Sequence, residues 1–200
     1  MPRLKINYQP VPIDITNTGH SIQFNAAPGT DAITLGDHAY QLVQFHFHAP
    51  GEERFAGKES VMDVYLVHHS DDDKLLVLAV QFKIGDQPNP VIQAMPDRTP
   101  REKGAEFKVK AVMVNPLDLL PEDTGYYTYS GSLTTPPCSE GVTWDRVQGT
   151  GDHHSATTRC HAALLSWQPT SRTSAERTRY LGSELIRRHP KIAIAARAMR

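Results

Sequence analysis

Residues 44–48 read Gln-Phe-His-Phe-His, and this alternation constrains the fold more than any other stretch of the chain. Tyr40, Leu42 and Val43 lead into it, and Ala49-Pro50-Gly51 stops it, so the stretch reads as a strand. Successive side chains on a strand point to opposite sides, which puts His46 and His48 on one face and Phe45 and Phe47 on the other. Two imidazoles about 6–7 Å apart along one strand face can converge on a single metal ion. A catalytic zinc site takes three protein ligands and keeps one position open. Two ordinary histidines on a polar strand face fit the same spacing.

The rest of the chain reads as strand-rich. Residues 4–9, 21–25, 60–69, 75–84, 109–114 and 126–130 carry alternating, β-branched or aromatic patterns. Gly36-Asp37 and Asp71 to Lys74 are turns, and residues 31–38 lead into the histidine strand. A short helical piece is expected at 90–95, a loop at 118–123, and irregular chain through the breaker-rich stretch 131–137. Val142-Thr143-Trp144 begins another strand. Many strands, few helices and no internal repeat point to a mainly β domain.

Two hundred residues can bury a sizeable core. No run of 18 apolar residues occurs, so no membrane-spanning helix is expected. The net charge of −1 hides a division. Residues 1–144 carry 11 Lys/Arg against 18 Asp/Glu, and residues 145–200 carry 10 against 4. Such a shift marks a separate segment or a tail of different origin. Arg187-Arg188 and the scattered arginines come without a nucleic-acid-reading motif, so no nucleic-acid partner is expected.

Gln44 to His48, Pro50, Glu52, Gly57-Lys58, Leu66-Val67-His68 and the long block Gly131 to Trp144 together resemble an alpha-class carbonic anhydrase of bacterial type. The block Gly-Ser-Leu-Thr-Thr-Pro-Pro-Cys-Ser-Glu-Gly-Val-Thr-Trp is the most specific part of the match. The resemblance implies a large, twisted, mostly antiparallel sheet with few short helices and a cleft against it. It implies reversible hydration of carbon dioxide to bicarbonate and a proton, with Zn2+ acidifying a bound water. Carbon dioxide and bicarbonate would be the partners, and a membrane would not.

Carried over residue by residue, the resemblance makes His46 and His48 the first two zinc ligands. The third falls on Tyr65, where relatives have histidine. Gln44 and Asp63 match the groups that orient ligand histidines. Thr134 and Glu52 match the pair that orients the attacking hydroxide, and His20 the proton shuttle. Val67, Val77, Leu133, Thr135, Val142 and Trp144 match the substrate pocket and its edge. Glu53 stands where relatives have a histidine bonded to a tyrosine that matches Tyr129, which sets a second carboxylate beside Glu52 and raises a pKa if both are buried.

Tyrosine is outside the usual zinc ligand set, and Tyr65 is expected to fill space or to hydrogen-bond Asp63 or a water. His68 faces the other way on a regular strand, and His69 lies about 13 Å along it. Two outcomes stay open: an enzyme with an altered site, or an inactive carbonic-anhydrase-like domain acting as a binding module or a truncated product. The likeness runs from about Leu4 to Trp144, which sets the expected domain at 1–144. Residues 145–200 are then a basic, divergent tail, disordered or weakly helical over 174–188, from a shifted reading frame or a fusion. The family segment upstream of Leu4 has no counterpart, so the beginning is expected to be missing. The resemblance implies a periplasmic or secreted protein, and the chain as written, without a signal peptide, implies a cytoplasmic one. In secreted relatives Cys138 would pair with a cysteine in that upstream segment, and a Cys138–Cys160 bridge is the alternative.

Overall fold

In the computed structural model, residues 4–55, 58–85, 88–95, 97–122, 125–135, 137–154, 187–189 and 193–194 are described. Strands come first: β1 (Leu4–Asn7), β2 (Val11–Asn17), β3 (Ile22–Asn25), β4 (Ala32–Leu35) and β5 (His38–His48). A small hairpin of β6 (Arg54–Phe55) and β7 (Lys58–Glu59) precedes β8 (Met62–His69) and β9 (Leu75–Gly85). A one-turn helix α1 (Pro90–Gln93) and β10 (Glu106–Val114) follow, then a 3-10 turn (Pro116–Leu119), β11 (Tyr126–Ser132) and β12 (Glu140–His154). The last described strands are β13 (Arg187–His189) and β14 (Ala193–Ile194).

Among the described residues, twelve strands form one large sheet in the order β10-β2-β3-β5-β8-β9-β12-β11-β13, with β4 bridging β1 and β5 and β14 on β1. Its pairings are antiparallel except β9–β12 and β1–β14. The fold is thus mainly β, as the sequence pattern predicts, and is the large, mostly antiparallel sheet that the resemblance implies. Among the described residues no helix is long and apolar enough to cross a membrane.

Parity sorts the side chains. Phe45 pairs with Leu66 and Phe47 with Val64, and their side chains join the main core with Phe24, Leu78 and Val80. Phe24 stacks on Phe45 with centroids 4.5 Å apart and meets Phe47 edge-on at 6.1 Å. Burying each such ring is worth about 1.5–3 kcal/mol, so this layer anchors β3, β5 and β8 together. The alternate residues of β5, β8, β9 and β12 line the opposite face, where the candidate site lies.

Several local details depart from the sequence reading. The sequence reading assigns no element to residues 11–16, where β2 forms around Pro12. Val11, Ile13 and Ile15 alternate inward, and Pro12 sits beside the register shift between Val109 and Met113 of β10, where proline costs the ladder least. The expected loop at 118–123 begins inside the 3-10 turn, whose first donors Asn115 caps through Leu117 N–H. Gly131 and Ser132 continue β11 instead of starting the irregular stretch. β12 runs through residue 144 to His154 without a break, and the helix expected at 174–188 lies outside the described residues apart from 187–188, which belong to β13. Cys138 is exposed and unbridged among the described residues, and Cys160 lies outside them.

Asp145 shows what β12 carries into the core. It follows Trp144, so it faces the apolar side, paired to Leu78 and Thr128, and it is fully buried. Burial pushes its carboxyl up to about 6, against a smaller opposing effect from Thr128. An acid whose folded pKa is raised loses stability as pH climbs from the unfolded value near 3.8 through the folded one. Asp145→Leu is therefore expected to stabilise the fold by about 2–3 kcal/mol at pH 8 and by much less at pH 4, read by urea unfolding at both pH values.

Candidate functional site

The site is assembled by the register of two strands. His46 lies opposite Tyr65 and His48 opposite Asp63 in the β5–β8 ladder. The two imidazoles meet edge to face, centroids 5.0 Å apart. His46 Nδ1 donates to Gln44 Oε1 at 2.8 Å, which fixes the tautomer and turns the Nε2 lone pair outward. Desolvation by the surrounding protein pushes His46 down to about 4, so it is neutral at physiological pH, the form that ligates metals. His48 is buried, and its Nδ1 lies 3.4 Å from Glu52 Oε1.

Tyr65 closes this pair. It is 2% exposed, with its ring 5.7 Å from His46, 5.0 Å from His48 and 5.0 Å from Trp144. Burial raises its phenol well above the usual value, and Glu53, Asp63 and Glu52 push the same way. The group facing the two imidazoles is thus a neutral phenol. Asp63 accepts from Ser60 Oγ and from the Glu53 N–H at 3.0 Å, rather than from Tyr65.

The other nearby histidines are committed elsewhere. His68 faces the main core, where Tyr8 O–H donates to its Nε2 at 2.6 Å and its Nδ1 donates to Leu76 C=O at 3.2 Å. Its imidazole is pushed down to about 4 by burial. His69 Nε2 lies 3.2 Å from Asp73 Oδ1. Zinc in a catalytic site takes three donors from His, Cys, Asp or Glu. Among the described residues no group of three such side chains is placed to hold a metal ion. Two imidazoles and a neutral phenol do not make that donor set.

The residues expected to form the pocket come together. Val77, Val142 and Trp144 pack with Tyr65 and Ala79 in a second apolar cluster, and Val67 and Leu133 lean against it. Thr135 is exposed at the rim. Thr134 is half-buried, and among the described residues no hydrogen bond joins it to Glu52, whose carboxylate lies toward His48 instead. His20 is exposed on a turn whose N–H donates to Thr18 Oγ1 at 3.2 Å.

Sequence reasoning missed part of the surroundings. Ala79 and Leu75 also line the cluster; Tyr129, which the resemblance sets opposite position 53, leans on it too and stacks on Trp144 at 6.0 Å. Glu53 has its carboxyl pushed up to about 7 by burial, against the Tyr129 hydroxyl that donates to it at 2.5 Å. Arg146 and Gln81 complete its surroundings. The signal for Arg146 was available, since it stands two residues after Trp144 and so shares its face.

The matches to known proteins agree with this architecture. A family model described as eukaryotic-type carbonic anhydrase matches residues 1–174. A carbonic anhydrase of Neisseria gonorrhoeae is 40% identical over 156 residues, covering 76% of this chain. The chain spans only 59% of that relative's length. The alpha-carbonic anhydrase structure of Photobacterium profundum superposes with a TM-score of 0.75 at 35% identity, over 86% of this chain and 80% of that one. A structure of dioscorin with ascorbate superposes with a TM-score of 0.72 at 27% identity, over 84% of this chain and 69% of that one.

One consequence is measurable in the metal-depleted chain. A buried imidazole held neutral contributes stability that is complete above the unfolded pKa near 6.5 and is lost as pH falls toward 4. The ring resonances of His46 and His68 are expected to stay those of neutral imidazole down to about pH 5 in an NMR titration. Titration of either near pH 6.5 would contradict their desolvation.

Proposed function

The chain belongs to the eukaryotic-type carbonic anhydrase family, and from that premise we propose that its site is built for reversible hydration of carbon dioxide and is disabled at one residue. The observation that carries this reading is Tyr65. The position that matches the family's third zinc ligand is filled by a phenol that burial keeps protonated, with Glu53, Asp63 and Glu52 pushing the same way. His46 and His48 supply two donors, and Gln44 keeps the first in its ligating tautomer.

Other residues retain roles the reaction calls for. Val67, Val77, Leu133, Val142 and Trp144 make an apolar wall beside the histidines, suited to a small apolar molecule such as carbon dioxide. Thr134, with Thr135 at the rim, is proposed to orient the attacking oxygen, Glu52 to orient Thr134 or His48, and His20 to pass the released proton to solvent. Asp63 is proposed to orient a donor at position 65 once a histidine stands there. Zn2+ is the cofactor that family membership implies, and its weak retention is expected from the two-donor set present here.

A binding domain without hydratase activity is the second reading. The packing of Tyr65 between the imidazoles and Trp144 favours it, because that ring takes the space a reactive water would need.

Elemental analysis of the folded chain after gel filtration decides between these readings. Well under one zinc is expected per unaltered chain. Tyr65→His is expected to bring zinc close to one per chain and carbon dioxide hydration with it. Zinc near one in the unaltered chain would overturn the blocked-site reading. Zinc without hydration in Tyr65→His would favour the binding domain.

A further inference from the structure

Beneath the histidines lies a second polar cluster, and its cation comes from the strand that follows Trp144. Residue 53 is fastened on four sides. Its N–H donates to Asp63 Oδ2 on β8 at 3.0 Å, and its C=O accepts from Gln81 Nε2 on β9 at 3.0 Å. The Tyr129 hydroxyl of β11 donates to Oε1 at 2.5 Å. Oε2 lies 3.6 Å from Arg146 Nε of β12, and the same guanidinium donates to Gln81 Oε1. The two charged side chains are nearly sealed, at 12% and 8% exposure.

The segment leading to Glu53 has no slack. A Cβ on Gly51 would come within 1.9 Å of Ser60 Oγ and 2.6 Å of Asp63 Oδ1, so only glycine lets the chain pass there. Where residue 53 is held, Glu52 is held too, with its carboxylate 3.4 Å from His48 Nδ1. The charged and titratable groups around Glu53 are Glu52 on its own segment, Asp63 on β8, Tyr129 on β11 and Arg146 on β12. Glu53 and Asp63 thus share one guanidinium, with Glu52 close to Glu53. Leaving such a carboxylate buried without a cation is far costlier than removing both partners.

We propose that Arg146 is a positioning residue: by holding the buried Glu53 carboxylate it fixes the 51–53 segment and with it the placement of Glu52 against His48. Neither Arg146, Glu53 nor Glu52 is asked to bind a metal, so the inference stands whether or not Tyr65 blocks zinc. It also makes the start of the basic segment a working part of the domain. Glu53 and Arg146 answer one another across the sheet, although the chain's charge balance changes sign between them.

The test is a double-mutant cycle on the full 200-residue chain with Glu53→Gln, Arg146→Met and both together, by urea unfolding at pH 8 and pH 5.5. At pH 8, Arg146→Met alone is expected to lower the folding equilibrium constant about a hundredfold, and the double variant to recover at least about tenfold of that. At pH 5.5, where Glu53 holds its proton, the loss from Arg146→Met is expected to shrink about tenfold, because the carboxyl then needs no cation. Arg146→Lys, which keeps the charge, is expected to restore part of the loss at pH 8. The His48 Nδ1 resonance is expected to move in Arg146→Met and to return toward its original position in the double variant. If Arg146→Met does not fold, a cooperative transition regained in the double variant supports the pairing, and failure of both to fold overturns it. Equal losses at both pH values and in both backgrounds mean that Arg146 only fills space. An unmoved His48 resonance overturns the positioning role.

Discussion

The pairing of β5 with β8 is the constraint on which the rest of the structure depends. One register puts Phe45 and Phe47 against Leu66 and Val64 in the core and simultaneously puts His46 against Tyr65 on the other side. A slip of one residue would exchange the two faces and drive imidazoles into the hydrocarbon layer. The phenylalanine stack with Phe24 is what makes that slip costly. Core packing and site geometry are therefore two faces of one set of hydrogen bonds.

The same parity carries across the next strands. Val77, Ala79 and Gln81 of β9 and Val142, Trp144 and Arg146 of β12 stand on the site side, so the apolar wall and the polar cluster below it are rungs of one ladder. Moving along these strands from Trp144 to Arg146, the surroundings change from an apolar wall to a polar cluster in which Glu53 and Asp63 act on one guanidinium. That cluster also explains the state of Tyr65. Its phenol is desolvated, and every nearby charge that shifts it is negative or becomes so, which opposes the anion a metal would require. A histidine at the same place would be neutral and would meet no such opposition.

The histidine strand was legible from residues 44–48 alone, because a two-residue period needs no partner to be recognised. The resemblance singled out Val67, Val77, Leu133, Val142 and Trp144, and these side chains pack in one apolar cluster, with Thr135 exposed outside it. β2 was hidden by its prolines, which weigh against a strand until the bulge in β10 that accommodates Pro12 is known. Arg146 carried a local signal, its two-residue spacing from Trp144, but composition outweighed it. Beyond residue 144 the chain turns basic, and a stretch rich in arginine, serine and threonine reads as a tail even where it continues a central strand. Asp145 belongs with it, since a single aspartate gives no local sign that it will be fully buried.

By itself the sequence determined which side chains share a face and that the chain would be rich in strands; the large antiparallel sheet and the reading of Tyr65 as the third-ligand position came from the resemblance. The first two follow from strand periodicity and from residue identity, which are local. Only the tertiary structure decided that Tyr65 is a neutral phenol wedged between His46, His48 and Trp144, that His68 bonds Tyr8 on the far side, and that Glu53 finds Arg146. Each of these depends on groups far apart in the chain meeting in a region from which water is excluded. Desolvation and ion pairing there are properties of the assembled sheet, with no trace in any one of its strands.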